Sequence, residues 1–379
     1  MAYRALLISM AVVAYTWTVY PLLLLGLRAL RPRAILPHGA AEDPFVSIIV
    51  PVHNEQEKIA AKLENCCALH YPADRLEIIV ASDGSTDGTE EIVRGFLALN
   101  IDARIRWLPS DRREGKSGVQ NLAAAAARGD ILFFTDAGTC MDPGVLRLMV
   151  DAFADPAAGL VTAKVHFGDP ADAVAKGQGF YWRFEFFLRQ LESDLGILAT
   201  ASGCAFAVRS SLFRALPICY GDDCIAPLDV RLQGYRVLQE RSALVFDTMP
   251  LGIDGELRAR IRMTARNWAG TLARPAILNP LRFPWTACGL VSHKLLRWLT
   301  PFFLGAVFLS NTLLALSGHG IVLWWLQIAF YFSAFVGWQR TRKQRPAGVF
   351  GYSFSFCLAN AGFLLGMVKA FRQQKIVAY

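Results

Sequence analysis

The stretch DILFFTDAGTC, residues 130–140, decides the fold class, because a buried apolar run ends abruptly on an acid. Four apolar residues, 131–134, are followed by Thr135 and Asp136. Such a strand places a carboxylate at the carboxyl edge of a sheet, where open α/β folds bind ligands. Asp136 is therefore a candidate ligand-binding residue. Gly138 supplies no second carboxylate two residues on, and Asp142 is a possible substitute for it.

Strands and helices alternate on either side of this stretch. Residues 45–52 and 76–82 are β-branched runs, as in strands buried on both faces. Asn54 and Glu57 have the spacing of a capping box, which predicts a helix to about residue 66. The remaining predicted elements are a strand at 103–108 and helices at 89–99 and 118–128. The series predicts a mostly parallel α/β sheet with helices on both faces, in one domain over residues 42–275.

The composition excludes an ordinary soluble enzyme and a pure membrane bundle, because 54% of residues are hydrophobic, 18% are charged and the mean hydropathy is +0.33. Residues 1–30 predict a transmembrane helix, with a cleaved signal peptide as the alternative. Arg28, Arg31 and Arg33 follow the apolar run, so the positive-inside rule places the domain in the cytoplasm of a cell inner or plasma membrane protein.

Residues 276–379 predict interfacial helices and three apolar segments, at 299–316, 321–338 and 349–368. The sequence leaves open whether the segment 349–368 spans the membrane. It contains polar residues, and four membrane crossings would put the basic segment 369–375 outside the cell, against the charge rule. The net charge of +8 fits basic segments facing anionic membrane lipid, with no nucleic-acid partner. Eight cysteines without a CxxC pair predict free thiols.

Two single acids and one acid pair lie at predicted strand ends or before a predicted helix, where ligand-binding or catalytic residues are common. Asp83 in SDGSTDGT follows the second strand, and an ordinary Asx turn is the alternative reading. Glu55 in PVHNE follows the first strand, where the helix dipole alone would favour an acid. Asp222 and Asp223 precede a predicted amphipathic helix, either as a cap or as a general base aimed at an acceptor hydroxyl.

Basic and aromatic residues form a second group of candidates. Lys116 lies on a Gly-flanked loop before a helix, which suits a phosphate or is merely solvated. Arg258, Arg262 and Arg266 recur every four residues, so one helical face is cationic and suits a leaving diphosphate, anionic headgroups, or both. The aromatic run 178–192 is either an acceptor path or a core helix.

Six motifs in this order resemble a membrane-bound family 2 glycosyltransferase, the superfamily of the cellulose, chitin and hyaluronan synthases. They are VSIIVPVHNE, IIVASDGSTDGT, REGKSGVQN, FFTDAGT, SGCAFAVRSSLF and DDCIAPLDVRLQGYR, within residues 45–268. The resemblance implies a GT-A fold, a nucleotide-sugar donor, a Mg²⁺ or Mn²⁺ ion and one inverting displacement. It implies Asp223 as catalytic base, with Asp222 beside it, and Asp136 as metal ligand. It further implies nucleotide-sugar contacts at Pro51, Asn54, Glu55, Asp83, Lys116, Asp136, Arg262 and Arg266, and acceptor contacts at Gly203 and Trp268.

Two departures from the family pattern bear on the product. Gly138 replaces the second acid of the D-x-D motif, and Asn267 interrupts the Q-x-x-R-W motif of processive synthases. The sequence therefore favours a non-processive enzyme acting on a lipid-linked or membrane-proximal saccharide acceptor. The alternatives are a processive synthase that exports its polymer and a catalytically inactive, membrane-anchored subunit that binds a nucleotide sugar.

Overall fold

The computed structural model describes residues 1–30, 43–99, 104–110, 112–168, 173–248 and 252–372. Arg31, Arg33 and Lys375, on which the charge argument for topology partly depends, lie outside the described residues. Within the described part, one eight-stranded sheet is covered by helices on both faces, and long apolar helices lie at both ends of the chain.

The sheet has the strand order β3-β2-β1-β4-β7-β6-β8-β5. The strands are β1 Val46–Val52, β2 Leu76–Ser82, β3 Ile105–Leu108, β4 Ile131–Thr135, β5 Cys140–Met141, β6 Ala158–Phe167, β7 Ala205–Arg209 and β8 Arg236–Asp247. Strands β1 to β4 run parallel, and so do β6 and β8, while β7 pairs antiparallel with β4 and β6. The predicted mostly parallel sheet is confirmed, with β7 and β5 as its antiparallel members.

The helices are α1 Ala2–Ala14, α2 Tyr20–Leu30, α3 Ile59–Cys67, α4 Thr89–Leu99, α5 Gly115–Ala126, α6 Val145–Asp151, α7 Ala173–Asp194, α8 Asp222–Leu232, α9 Gly252–Leu272, α10 Pro284–Gly289, α11 Leu296–Leu316, α12 Ile321–Arg342 and α13 Phe350–Phe371. Short π-helical segments, Tyr15–Val19 and Leu290–Leu295, join α1 to α2 and α10 to α11. None of the eight cysteines, all of which lie within the described residues, forms a disulfide, as predicted.

The alternation of side chains along β1 builds two cores, one on each face of the sheet. Ile48 lies in the core beneath α3, α4 and α6, and its neighbour Ile49 lies in the core beneath α5 and α8. Each such fully buried side chain contributes about 1.5–3 kcal/mol. Phe134 stacks on Phe206 with a centroid distance of 4.9 Å, which fixes the end of β4 just before Asp136.

The predicted capping box at Asn54 is wrong. Helix α3 begins at Ile59, and Asn54 instead has a positive φ of 54°. Its Oδ1 accepts from the N–H of Thr86 at 2.8 Å, so Asn54 ties the end of β1 to the loop after β2. Asn tolerates the left-handed region better than most residues, which explains its place there.

Four helical stretches among the described residues are long and apolar enough to cross a membrane. They are Ala2–Leu30, Pro284–Leu316, Ile321–Arg342 and Phe350–Phe371. The second runs unbroken through α10 and α11, so the segment predicted as a separate interfacial helix, 279–299, continues largely into the following span. Helix α13 lies against α9, where Gly362 and Gly366 leave room for Arg260 and Thr264.

Candidate active site

A cleft of about 540 Å³ opens at the carboxyl edge of the parallel strands. The sheet edge and α8 form one side of it, α7 and α9 form another, and the membrane helices contribute Trp298 and Phe363. Nine of the predicted site residues line it. They are Pro51, Glu55, Lys116, Asp136, Gly203, Asp222, Asp223, Arg262 and Arg266. The topology thus gathers residues that lie up to about two hundred positions apart in the sequence.

Lys116 is the centre of the charged part of the cleft. Its Nζ lies 2.7 Å from Asp136 Oδ1 and 3.0 Å from Asp222 Oδ2, and it donates to the carbonyl of Gly203 at 3.0 Å. These three partners use all three ammonium protons. Burial would lower the pKa of Lys116, but the two carboxylates raise it above its ordinary value. Lys116 therefore stays charged and holds the two acids in place.

Asp83 positions this lysine without lying in the cleft. Its carboxylate is fully buried and accepts from the backbone N–H groups of Glu114, at 2.7 Å, and Gly115, at 3.0 Å. Gly115 has a φ of +77°, which begins α5 three residues before the predicted start and points Lys116 at the sheet edge. In this structure Asp83 contacts the loop before α5, and its contact with the donor stays a prediction.

Asp222 and Asp223 form the first turn of α8, and their surroundings separate their pKa values. Burial raises the pKa of Asp222, but Lys116 and a 3.0 Å hydrogen bond from Gln120 Nε2 bring it below the ordinary value. Burial and the neighbouring Asp222 carboxylate raise the pKa of Asp223. Such a split pair supplies one permanent anion and one proton acceptor. Asp223, whose pKa is raised, is the member of the pair that suits a proton acceptor.

Gly221 permits the close approach of α9 to this pair. A Cβ at position 221 would lie 2.5 Å from Asp223 Oδ1 and would also collide with Asn267 Oδ1. Asn267 Nδ2 lies 3.5 Å from Asp223 Oδ2, so the residue that interrupts the processive motif faces the candidate base. Position 267, where the processive motif is interrupted, is therefore occupied by a side chain that contacts the candidate site.

Asp136 and Asp247 are the two carboxylates at this edge that suit a hard cation. Asp247 is the last residue of β8. The pairing of β8 with β5 sets Phe246 opposite Cys140, and the next residue, Asp247, lines the cleft together with Asp136. Burial, and then the Asp136 carboxylate, raise the pKa of Asp247. Mg²⁺ and Mn²⁺ are commonly held by one or two carboxylates plus substrate phosphates. This pair fits such an ion when a diphosphate supplies the remaining oxygens.

The space beside Gly138 contains a lysine. A Cβ built at position 138 would lie 3.5 Å from Lys58 Cδ and 3.8 Å from its Nζ, and Lys58 pairs with Glu55 at 2.9 Å. The proposed substitute, Asp142, is wrong on geometry: it is not among the cleft residues, and its Oδ1 accepts from the N–H of Gly144 at 2.9 Å. It stabilises the turn before α6.

The arginines of α9 divide between the cleft and the exposed surface. Arg262 and Arg266 line the cleft, and Arg266 is buried with Nη2 donating to the carbonyl of Tyr220. Trp268 lies outside the cleft lining and packs edge-on against Trp298 with a centroid distance of 6.1 Å. Of these two tryptophans Trp298 lines the cleft, and the contact of Trp268 with the acceptor stays a prediction.

Helix α7, which contains the aromatic run 178–192, contributes both to the cleft and to the core, and its role as an acceptor path stays a prediction. Tyr181 and Trp182 line the cleft, whereas Phe186 packs in the core of the sheet. The same helix contributes Glu185 and Arg189 to the cleft, and Lys294 of the π-helical segment joins them. The cleft therefore runs from the acids of the sheet edge to aromatic and charged groups at the membrane helices.

Sequence reasoning missed several of these residues. Asp247 had a readable signal, because LVFD at 244–247 is an apolar run ending on an acid, the same pattern as Asp136. Lys58, Glu185, Arg189 and Lys294 had none, since their places depend on helices that meet only in the folded chain.

Residues 47–216 match the model of Glycosyl transferase family 2. A probable glycosyltransferase of Bacillus subtilis, YdaM, is 30% identical over 188 residues, which are 46% of this chain and 43% of that protein. The beta-monoglucosyldiacylglycerol synthase of Synechocystis is 28% identical over 210 residues, 52% of this chain and 44% of that protein. The chain thus spans less than half the length of these curated relatives.

Among solved structures, the mannosyltransferase PcManGT of Pyrobaculum calidifontis, in complex with GDP-Man and Mn²⁺, superposes with a TM-score of 0.77. The match covers 98% of this chain and 99% of that one at 22% identity, and it shows that the two share the GT-A fold. Residues 47–216 thus resemble glycosyl transferase family 2, and the chain shares its fold with this mannosyltransferase.

Proposed function

We propose that this protein is an inverting, metal-dependent glycosyltransferase of the cell inner or plasma membrane. It moves a sugar from a nucleotide-sugar donor to a hydroxyl of a lipid-linked saccharide. The observation that carries the proposal is a single cleft that holds the Asp222 and Asp223 pair at one end and the membrane-helix residues Trp298 and Phe363 at the other. A donor bound at the sheet edge and an acceptor held in the membrane would meet there.

In the proposed reaction, Asp223 takes the proton of the acceptor hydroxyl as that oxygen bonds to the anomeric carbon of the sugar. The bond from that carbon to the diphosphate breaks on the opposite side, and the nucleoside diphosphate leaves with the electron pair. The raised pKa of Asp223 suits a base, because a proton acceptor works best when its pKa lies near the working pH. Attack opposite the leaving group inverts the anomeric configuration.

The diphosphate would bind where the cations of the cleft converge. Lys116, Arg262 and Arg266 face that space, and charge stabilisation of a leaving group is often the largest catalytic contribution. Asp136 and Asp247 would hold the Mg²⁺ or Mn²⁺ ion, which when bound neutralises charge on the diphosphate. Glu55 and Pro51 line the same end and would bound the donor.

The cytoplasmic placement of the domain is part of the proposal. Arg28 follows the first apolar stretch, and Arg340 and Arg342 end α12. If the first three stretches span, these three arginines lie on one side of the membrane, which the positive-inside rule identifies as the cytoplasm. The domain between the first two spans lies on that same side.

The test is nucleotide release by detergent-purified protein across a panel of nucleotide sugars, with membrane lipid extract as acceptor and with Mn²⁺, Mg²⁺ or EDTA. We expect one donor to give metal-dependent release and Asp223→Asn to lower its rate by about 10²–10⁴-fold, the usual contribution of a general base. Asp142→Asn is the matched control, since this acid lies near the same edge but outside the cleft.

Two results would contradict the proposal. Release that persists in Asp223→Asn would remove the assigned base. Nucleotide binding without release, under every metal and lipid condition, would indicate an inactive binding subunit. A ladder of long products would instead indicate the processive alternative.

A further inference from the structure

A buried ionic cluster lies where α7 meets the second membrane stretch. Glu185 accepts from Arg189 at 2.9 Å, from His293 at 3.0 Å, from Arg297 at 2.5 Å and from Lys294. Glu192 accepts from the other ring nitrogen of His293 at 2.8 Å and from the hydroxyl of Tyr20 at 2.8 Å. The buried cluster is thus defined by Glu185, Arg189, Glu192, His293, Lys294 and Arg297.

The buried cluster carries more positive than negative charge. The ring nitrogens of His293 lie 3.0 Å from Glu185 and 2.8 Å from Glu192. Counted without this ring, the three cations Arg189, Lys294 and Arg297 accompany two carboxylates, an excess of one positive charge. Burying an uncompensated charge is costly, so such a cluster favours an anion beside it.

The buried cluster borders the cleft at its membrane end. Arg189 and Lys294 line the cleft beside Trp298 and Tyr181, while Arg297 is 1% exposed behind them. Glu185 lines the cleft beside them, and Arg189 and Lys294 are the cations through which the excess positive charge of the cluster reaches the cleft. The aromatic rings next to them offer an apolar surface for a lipid chain or a sugar face.

A short path of contacts joins the buried cluster to the candidate base. Arg189 Nη1 donates to the carbonyl of Ala201 at 3.0 Å, and the N–H of Ala201 donates to the carbonyl of Asp223 at 2.9 Å. The cationic end and the carboxylate end are thus separated by one backbone segment. An acceptor that enters the cleft beside Trp298 would meet Lys294 and Arg189, which line the cleft together with Asp223.

We infer that the acceptor carries a phosphate between its saccharide and its lipid chain, and that Lys294 and Arg189 bind this phosphate. The inference rests on the proposed function and deepens it: the saccharide hydroxyl would reach Asp223, the phosphate would lie at the buried cluster and the chain would leave along Trp298. A neutral glycolipid would leave the excess charge uncompensated.

The test uses dodecyl phosphate as a probe, with dodecanol as its uncharged counterpart, added to protein in a neutral detergent. Binding is measured by the rise in melting temperature, which requires no turnover. We expect dodecyl phosphate to bind the wild type and dodecanol not to. Lys294→Gln should weaken binding about ten- to hundredfold, as for loss of one charge-assisted hydrogen bond, and Lys294→Arg should retain it.

Lys343→Gln is the matched control, because Lys343 is an exposed lysine after α12, outside the cleft. It should bind dodecyl phosphate as the wild type does. Equal binding by Lys294→Gln and the wild type, or no binding by either, would overturn the inference. So would equal binding of dodecanol.

A second measurement separates the acceptor phosphate from a membrane phospholipid. Dodecyl phosphate should slow nucleotide release with membrane lipid extract while leaving nucleotide binding unchanged. If it binds but release continues at the same rate, the site holds a structural phospholipid and the acceptor assignment is wrong. Failure of the proposed function itself would appear differently, as absence of release before any probe is added.

Discussion

Replacing Lys116 by methionine removes the cation that holds two of the site's carboxylates. At an effective dielectric constant of about 20, opposite charges 3.0 Å apart, the separation of Lys116 and Asp222, attract by about 5–6 kcal/mol. The cost of burying the charges offsets part of this, and removing one partner of a buried pair costs about 3–5 kcal/mol. The variant relieves the cost by protonating the acids, so the pKa of Asp222 rises from its lowered value and the raised pKa of Asp223 rises further.

The expected result is a rate loss together with a displaced pH profile. Transfer requires Asp223 as the carboxylate, so activity falls as pH decreases through its pKa, and a higher pKa moves this acid limb to higher pH. We expect Lys116→Met to lower kcat/KM by about 10²–10³-fold, as for loss of one donor at developing charge, and to shift the limb upward. The assay is nucleotide release as a function of pH.

Lys62→Met is the matched control for this experiment. Lys62 is also buried, beside the same strand end, but its Nζ donates to the neutral oxygens Thr135 Oγ1, at 2.8 Å, and Thr139 O, at 2.6 Å. It should lose stability with a smaller change in the acid limb. If Lys116→Met lost activity with its acid limb in place, the coupling between this lysine and the acid pair would be refuted.

Two further predictions concern the metal and the membrane contact. Asp247→Asn should weaken Mn²⁺ affinity in the presence of nucleoside diphosphate, measured by titration calorimetry. Gly138→Asp should strengthen this affinity, because a Cβ at position 138 meets no atom closer than 3.5 Å and an added carboxylate therefore fits. Unchanged Mn²⁺ affinity in both variants would contradict a metal site at this edge of the sheet. Gly362→Val should destabilise the protein by about 1–3 kcal/mol, because a Cβ at position 362 would lie 2.7 Å from Arg260 Cβ. Gly305→Val is the control and should not destabilise the protein, because a Cβ at position 305 has no neighbour within 4 Å. Equal melting temperatures of the two variants would contradict the close packing of α13 on α9.

The sequence predicted the sheet well because strand identity depends on local composition. The β-branched runs of β1 and β2 and the acid after β4 are readable in a single window, and each lies where it was expected. The predicted helix cap at Asn54 was wrong because the capping-box spacing also occurs in loops. Here the side-chain oxygen of Asn54 accepts from the backbone N–H of a residue that is distant in sequence. Local spacing does not identify the partner.

The candidate site was predicted in part for the same reason. Asp136, Lys116 and Asp223 follow from strand ends and loops, and the cleft contains all three. Asp83 has the motif but turns to the backbone of Glu114 and Gly115. The buried cluster could not be predicted, because Glu185 meets its partners across more than a hundred residues of sequence.

The glycine contacts of α13 join the catalytic cleft mechanically to the bilayer. Gly362 and Gly366 let α13 touch α9 at Arg260 and Thr264, and α9 carries the arginines that face the diphosphate space. A change of hydrocarbon thickness that alters the tilt of α13 therefore moves this wall of the cleft. We therefore expect donor affinity to depend on the chain length of the surrounding lipids, and activity to vary with the thickness of the membrane.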